Sequence, residues 1–225
     1  LGSASASFGA TAGAPVLRAA AASSSTGRLG ATTIAVQRYE NAGAAAVTAF
    51  FGGDLTFSLT DVSATPSVFT GIEVQLALFT TSSGFIDVAD SSDRFAIFDL
   101  FSWQDLPGVT PIYDSGIVSY TTSTDPGMPI SLTTPGITVN PGESFFVLAR
   151  LLAIGAEGST ADASNTLVTG LFGSMDLQNR ELLGDDSGIV AIQTIQTVPL
   201  PGIAALLLLG FAGLMGRRLG RLSRR

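Results

Sequence analysis

Asp87-Val88-Ala89-Asp90-Ser91-Ser92-Asp93 is the densest run of oxygen ligands in the chain. Carboxylates and hydroxyls suit a hard cation such as Ca²⁺, which takes about six to eight oxygens. Asp87, Asp90 and Asp93 are therefore the candidate metal ligands, and Ca²⁺ the candidate cofactor. Their spacing departs from an EF-hand loop, which needs ligands at alternate positions, a central glycine and a distant glutamate. A solvated turn, with Asp and Ser bonding their own backbone, explains the same residues. Trp103, with Phe98, Phe101 and Tyr113, offers an aromatic platform for a sugar ring, or equally a piece of core. Trp103 is the candidate ligand-binding residue. Glycoside hydrolysis needs two carboxylates converging at about 5–10 Å. Asp99, Asp105 and Asp114 are available among 18 carboxylates, but their spacing marks no pair.

The residue types that are missing exclude more. The chain has no Cys, His or Lys, so thiol nucleophiles, Ser-His-Asp triads and His/Cys zinc sites are ruled out. All 18 carboxylates and six of the 11 arginines precede Val198, a net −12, while the last 28 residues carry +5. An acidic, lysine-free body argues against nucleic acid and other anionic polymers as partners. It is compatible with cations and with neutral glycans such as exopolysaccharide. The expectation is a non-enzymatic protein.

Elements that could position these residues are short and extended. Asp54–Thr60 alternates Leu55, Phe57 and Leu59 with Thr56, Ser58 and Thr60, the period of a half-buried strand. Ile72, Val74, Leu76 and Leu78 share one face of the next run. Further strands are expected at Thr33–Tyr39, Arg94–Phe101, Ile112–Tyr120, Ile130–Thr133, Ile137–Val139, Phe145–Leu152, Thr166–Leu177 and Ile189–Ile195. Asn140-Pro141-Gly142-Glu143 reads as a hairpin turn between two of them. Gly155–Asn165 reads as an Ala/Gly/Ser loop, and no convincing helix interrupts the series. Short strands at roughly ten-residue spacing predict a mainly β fold, a single antiparallel β-sandwich of jelly-roll-like kind over residues 32–197, with a closed barrel as the alternative. Residues 7–31, rich in Ala, Ser and Gly, read as a flexible leader. Ala4-Ser5-Ala6 has the pattern of a signal-peptidase site, so residues 1–6 read as the remnant of a signal peptide.

The other end is the most specific. Val198-Pro199-Leu200-Pro201-Gly202 precedes an unbroken apolar run, Ile203 to Met215, and then Arg217, Arg218, Arg221, Arg224 and Arg225. The prolines let a helix begin only near Pro201. Leu200 to Gly216 is 17 residues, about 25 Å at helical rise, the short end for crossing hydrocarbon. A C-terminal transmembrane helix over 201–216 is expected, with the arginines cytoplasmic by the positive-inside rule and everything before Val198 outside.

This block, VPLPGIAALLLLGFAGLMGRRLGRLSRR, resembles the PEP-CTERM sorting signals of Gram-negative bacteria, in the variant headed VPLPA. Val198, Pro199, Leu200 and Pro201 match that variant, and Gly202 stands for its alanine. The resemblance covers residues 198–225 and implies an exosortase, a membrane cysteine protease, as processing partner. It also implies transient anchoring in the inner membrane, then release to the cell envelope or the extracellular, exopolysaccharide-containing matrix. The functional expectation is an exported structural or adhesive protein of the surface or matrix. A carbohydrate- or calcium-binding module is the alternative, and a secreted hydrolase the more distant one.

Overall fold

Runs of β-branched, aromatic and alanine residues form two antiparallel sheets packed face to face. The computed structural model describes residues 2–8, 14–23, 28–60, 70–82, 104, 108–121, 130–156, 158–174, 181–183 and 185–196. One sheet runs β1 (Gly2–Phe8), β2 (Pro15–Ala22), β12 (Thr160–Phe172), β4 (Val47–Leu55), β10 (Ile137–Val139). Here β5 (Ser58–Thr60) continues the line of β4 alongside β12, and β9 (Ile130–Thr133) continues that of β10 alongside β4. The other sheet runs β13 (Ile189–Gln196), β3 (Arg28–Asn41), β11 (Ser144–Ala156), β6 (Gly71–Thr81), β7 (Val109–Asp114), with β8 (Val118–Thr121) continuing β7. Every pairing is antiparallel. Among the described residues no helix is long and apolar enough to cross a membrane; the expected span, 201–216, lies outside them.

The core lies between the sheets, where β2 packs on β3 and β11. It has two unlike ends. At one, Tyr39 stacks on Phe145 with ring centroids 5.5 Å apart, beside Val139. At the other, Ala19, Ala21, Ala153, Ala161 and Ala163 supply the inward positions, and register sets Ala21 against Ala161 and Ala19 against Ala163. Methyl-sized side chains draw the backbones together: a Cβ on Gly155 would lie 2.8 Å from the Ala21 carbonyl oxygen.

The six-stranded sheet is also buried on its far face. Ile34, Val36, Ala77, Phe79, Phe146 and Leu148 form a second cluster there, with Phe79 stacked on Phe146 at 5.2 Å. Strand β11 thus buries both faces, which explains its near-continuous apolar sequence.

Several expectations are corrected. Pro15–Ala22 is not a flexible leader but an internal strand whose Leu17, Ala19 and Ala21 are fully buried. Gly2–Phe8 pairs with it along its whole length, so the domain takes in residues assigned to the signal remnant and begins well before residue 32. Gly155–Asn165 is not a loop: β11 runs to Ala156, β12 starts at Thr160, and only a tight turn with Gly158 at φ +86° separates them. Asn140–Glu143 is not a hairpin turn but a corner between sheets, since β10 pairs with β4 and β11 with β3 and β6. Two expected strands are each split: Asp54–Thr60 at Thr56-Phe57, and Ile112–Tyr120 at Ser115–Ile117.

Candidate functional site

Both breaks along the β7/β8 and β9/β10 edges are bridged by the same device. In β4 the Phe51 N–H donates to the Thr134 hydroxyl at 3.1 Å, and the Thr134 N–H returns to the Phe51 carbonyl at 2.8 Å. In β6 the Leu76 N–H donates to the Ser115 hydroxyl at 3.0 Å, and the Ser115 N–H to the Leu76 carbonyl at 3.0 Å. A side-chain oxygen stands in for the missing ladder carbonyl, which keeps a buried donor satisfied where the edge strand turns away. Gly116 at φ +62° and Pro135 supply the turns.

Where these two edges pass each other, a cleft of about 440 Å³ opens between the sheets. Its walls are the end of β6 (Thr80, Thr81) with Ser82 just beyond it, Ile112 of β7, all of β10 and Glu143–Phe145. The corner beneath it is held by Asn41, which is fully buried. Its side-chain amide donates to the Val139 and Ala45 carbonyls, each at 2.8 Å, and its oxygen accepts the Gly43 N–H at 2.9 Å. The Gly142 N–H, at φ +78°, donates to the Asn41 carbonyl at 2.7 Å. One asparagine thus ties the β3–β4 connection to the corner that carries the chain between sheets.

The cleft presents hydroxyls over an apolar floor and one carboxylate. Both the backbone N–H and the side-chain amide of Asn140 donate to Glu143 Oε2, at 2.8 and 3.1 Å. Those bonds, the backbone one foremost, hold the Glu143 carboxyl below its ordinary value. Among the described residues that line the cleft, Glu143 is the titratable one. The ionised carboxylate can accept hydrogen bonds from a polyhydroxylated ligand, and the hydroxyls around it can both donate and accept. The acid/base pair of a glycosidase needs a second carboxyl, and among the described lining residues Glu143 supplies the one there is.

Of the residues singled out in the sequence, Asp87, Asp90, Asp93, Trp103, the sorting motif Val198–Gly202 and the five terminal arginines all lie outside the described residues. Among the described residues no three acidic side chains gather as a metal site. Asp114 is occupied structurally: it accepts from Gln75 at 2.8 Å, Gln104 at 2.6 Å and the Gly116 N–H at 2.8 Å, capping the β7–β8 break. Tyr113 packs against the main core.

Arg150 is a buried charge that periodicity and motif do not mark. It sits on the far face of β11, 3% exposed, with Nη2 3.8 Å from Glu73 Oε2. Its Nε and Nη2 have no hydrogen-bond partner. Burial lowers its pKa, and the Glu73 charge offsets part of that shift. The signal was present as a single arginine inside Phe145–Ile154, where every other residue is apolar. No protein family, curated protein or solved structure matches this chain.

Proposed function

We infer that this chain is an exported β-sandwich, a structural or adhesive component of the cell surface or matrix, delivered by its C-terminal sorting tail. The observation that carries the reading is the junction between domain and tail. Strand β13 pairs with β3 as far as Gln196 opposite Ala35, leaving only Thr197 before the Val198–Gly202 motif. A tail joined so closely to a folded body suits a temporary handle: the domain is the cargo, and an exosortase-type protease is the partner that detaches it. The strand order supports a jelly roll for the cargo, since β2-β12-β4-β10 faces β3-β11-β6-β7 and most connections cross between sheets. Fold alone assigns no function; the tail and the acidic, lysine-free body agree with the reading that the junction carries.

The test is fractionation and intact-mass measurement of the chain expressed with and without a cognate exosortase. The reading expects a membrane-held form carrying Arg225 without the protease and a released form truncated near Val198–Gly202 with it. Recovery of the intact chain in the cytoplasm in both cases overturns it.

A second reading, a module that binds neutral exopolysaccharide, is favoured by the hydroxyl-lined cleft at Glu143, whose size falls in the range of small-ligand sites. Calorimetric titration with neutral oligosaccharides tests it: heat that disappears in Thr138→Val supports the reading, and no heat from the wild-type chain refutes it.

A further inference from the structure

A β-sandwich has four lateral edges, and an unprotected edge is a template for another strand. Two edges of this one are blunted: β7/β8 is interrupted at Ser115–Ile117 and carries Pro111, and β9/β10 is interrupted at Thr134–Gly136 with Pro135. The third, β1, packs over β3 and so sits inboard of β13. The fourth, β13, is the outermost strand on its side, and among the described residues nothing pairs with its free edge.

The sequence of β13 is Ile-Val-Ala-Ile-Gln-Thr-Ile-Gln, eight residues without a charge, a proline or a glycine. Such a composition is that of a strand ready to pair. Val190 and Ile192 are 38% and 49% exposed, and Ala191 between them is exposed as well. Three consecutive apolar residues in water on an edge strand are unusual where natural proteins place lysine or proline. The register against β3 slips between Ala191 and Gln193, which leaves Ile192 out of the ladder.

We propose that the free edge of β13 is an interface between two copies of this chain, paired antiparallel about a two-fold axis. The open ladder of N–H and C=O groups specifies an extended strand as occupant. The absence of charge makes β13 compatible with itself, because self-pairing sets no like charges opposite one another. The blunted edges cannot supply an equally long partner. Eight residues span about 27 Å, and with a sheet about 10 Å thick the contact covers on the order of 300 Å² per copy. That is well below the ~800 Å² per partner of a stable complex, so the dimer is weak and concentration-dependent. The net −12 before Val198 opposes it, so added salt strengthens it by screening. The proposal rests on the fold alone and stands whether or not the tail is a sorting signal.

The chain lacks cysteine, so single cysteines report contacts without background. Purified chains carrying Val190→Cys, Ala191→Cys or Ile192→Cys are oxidised with copper phenanthroline, and disulfide dimers are read on non-reducing gels. Ile112→Cys, 44% exposed on a blunted edge, is the collision control. The proposal expects a dimer yield at one or more β13 positions about tenfold above the control. It also expects a second substitution, Ile192→Lys in the Ala191→Cys chain, to lower dimer affinity about tenfold, equivalent to 1.4 kcal/mol. Far-UV circular dichroism of each variant confirms folding, and all these positions are exposed. Equal yields at Ile112 and across β13, absence of dimer from every variant, or a dimer indifferent to Ile192→Lys overturns the proposal.

Discussion

Replacing Tyr39 with phenylalanine should stabilise this protein, against the usual direction of core substitutions. Tyr39 is fully buried, its ring lies against Phe145, and its hydroxyl has no hydrogen-bond partner. An unpaired buried hydroxyl costs about 1–3 kcal/mol relative to one left in water. Removing the oxygen forfeits a handful of dispersion contacts at about 0.1–0.2 kcal/mol each, roughly 0.5 kcal/mol in all. The ring and its stacking stay. The net expectation is a gain of about 1 kcal/mol or somewhat more, or about 2–4 °C in Tm for a domain of this size. A second signature separates this account from a packing effect. Burial raises the Tyr39 pKa above its ordinary value of 10.0, so the folded state holds its proton after the unfolded chain has lost it. The stability tied to that proton is complete below pH 10 and declines as pH rises towards the folded value, by about 1.4 kcal/mol per unit. Tyr39→Phe lacks that decline, so its advantage should widen above pH 10. Thermal and urea unfolding of the full-length chain in mild detergent, at pH 7 and again above pH 10, measure both. A variant at least 1 kcal/mol less stable at pH 7, with no widening at high pH, would show that the hydroxyl is paired and the reasoning mistaken.

Asn41→Ala strands two carbonyls and one N–H, at about 1 kcal/mol each a loss of about 3 kcal/mol. The near-isosteric Asn41→Asp should not rescue it, because an acceptor would then face the Val139 and Ala45 carbonyls; urea midpoints decide. Thr134→Val, matched in shape, orphans the buried Phe51 N–H and should cost about 1–3 kcal/mol, whereas Ser115→Ala at the less buried break should cost less than about 1 kcal/mol. Equal losses would contradict the role given to the hydroxyls. For Glu143 the folded pKa lies below the ordinary 4.5, so its stabilising effect is present above pH 4.5 and lost as pH falls through the folded value. Wild type should therefore exceed Glu143→Gln in Tm near pH 6 and converge with it at more acid pH; a constant difference across that range refutes the assignment.

The strands legible in the sequence are those whose buried face carries large side chains. The run carrying Ile72, Val74, Leu76 and Leu78 and the strand Phe145–Leu152 read correctly because those four residues, with Phe145, Val147 and Leu151, are apolar by type and buried in fact. The strands that were missed are those whose buried face is alanine. Ala19 and Ala21, and Ala161 and Ala163, occur inside Ala/Ser/Gly stretches that resemble leader or loop, because a methyl group carries almost no periodic signal. Their burial follows from what lies across from them: Ala21 faces Ala161, and the two sheets close over both.

The same division applies to the sites. The order of residues alone determined an acidic body free of Cys, His and Lys and an oppositely charged, apolar C-terminal tail. Those features limit the chemistry and suggest the destination, because they are sums and runs that need no neighbours in space. Tertiary structure decided the rest. Asn41, Thr134 and Ser115 become clamps only when strands distant in the chain bring carbonyls and N–H groups to them. Arg150 is an ordinary arginine until pairing with β3 and β6 buries it beside Glu73. Ile189–Gln196 is one more β-prone segment until the sheet order leaves it outermost. Hydrogen-bond satisfaction and edge exposure are relations between segments, so they are fixed only once those segments meet.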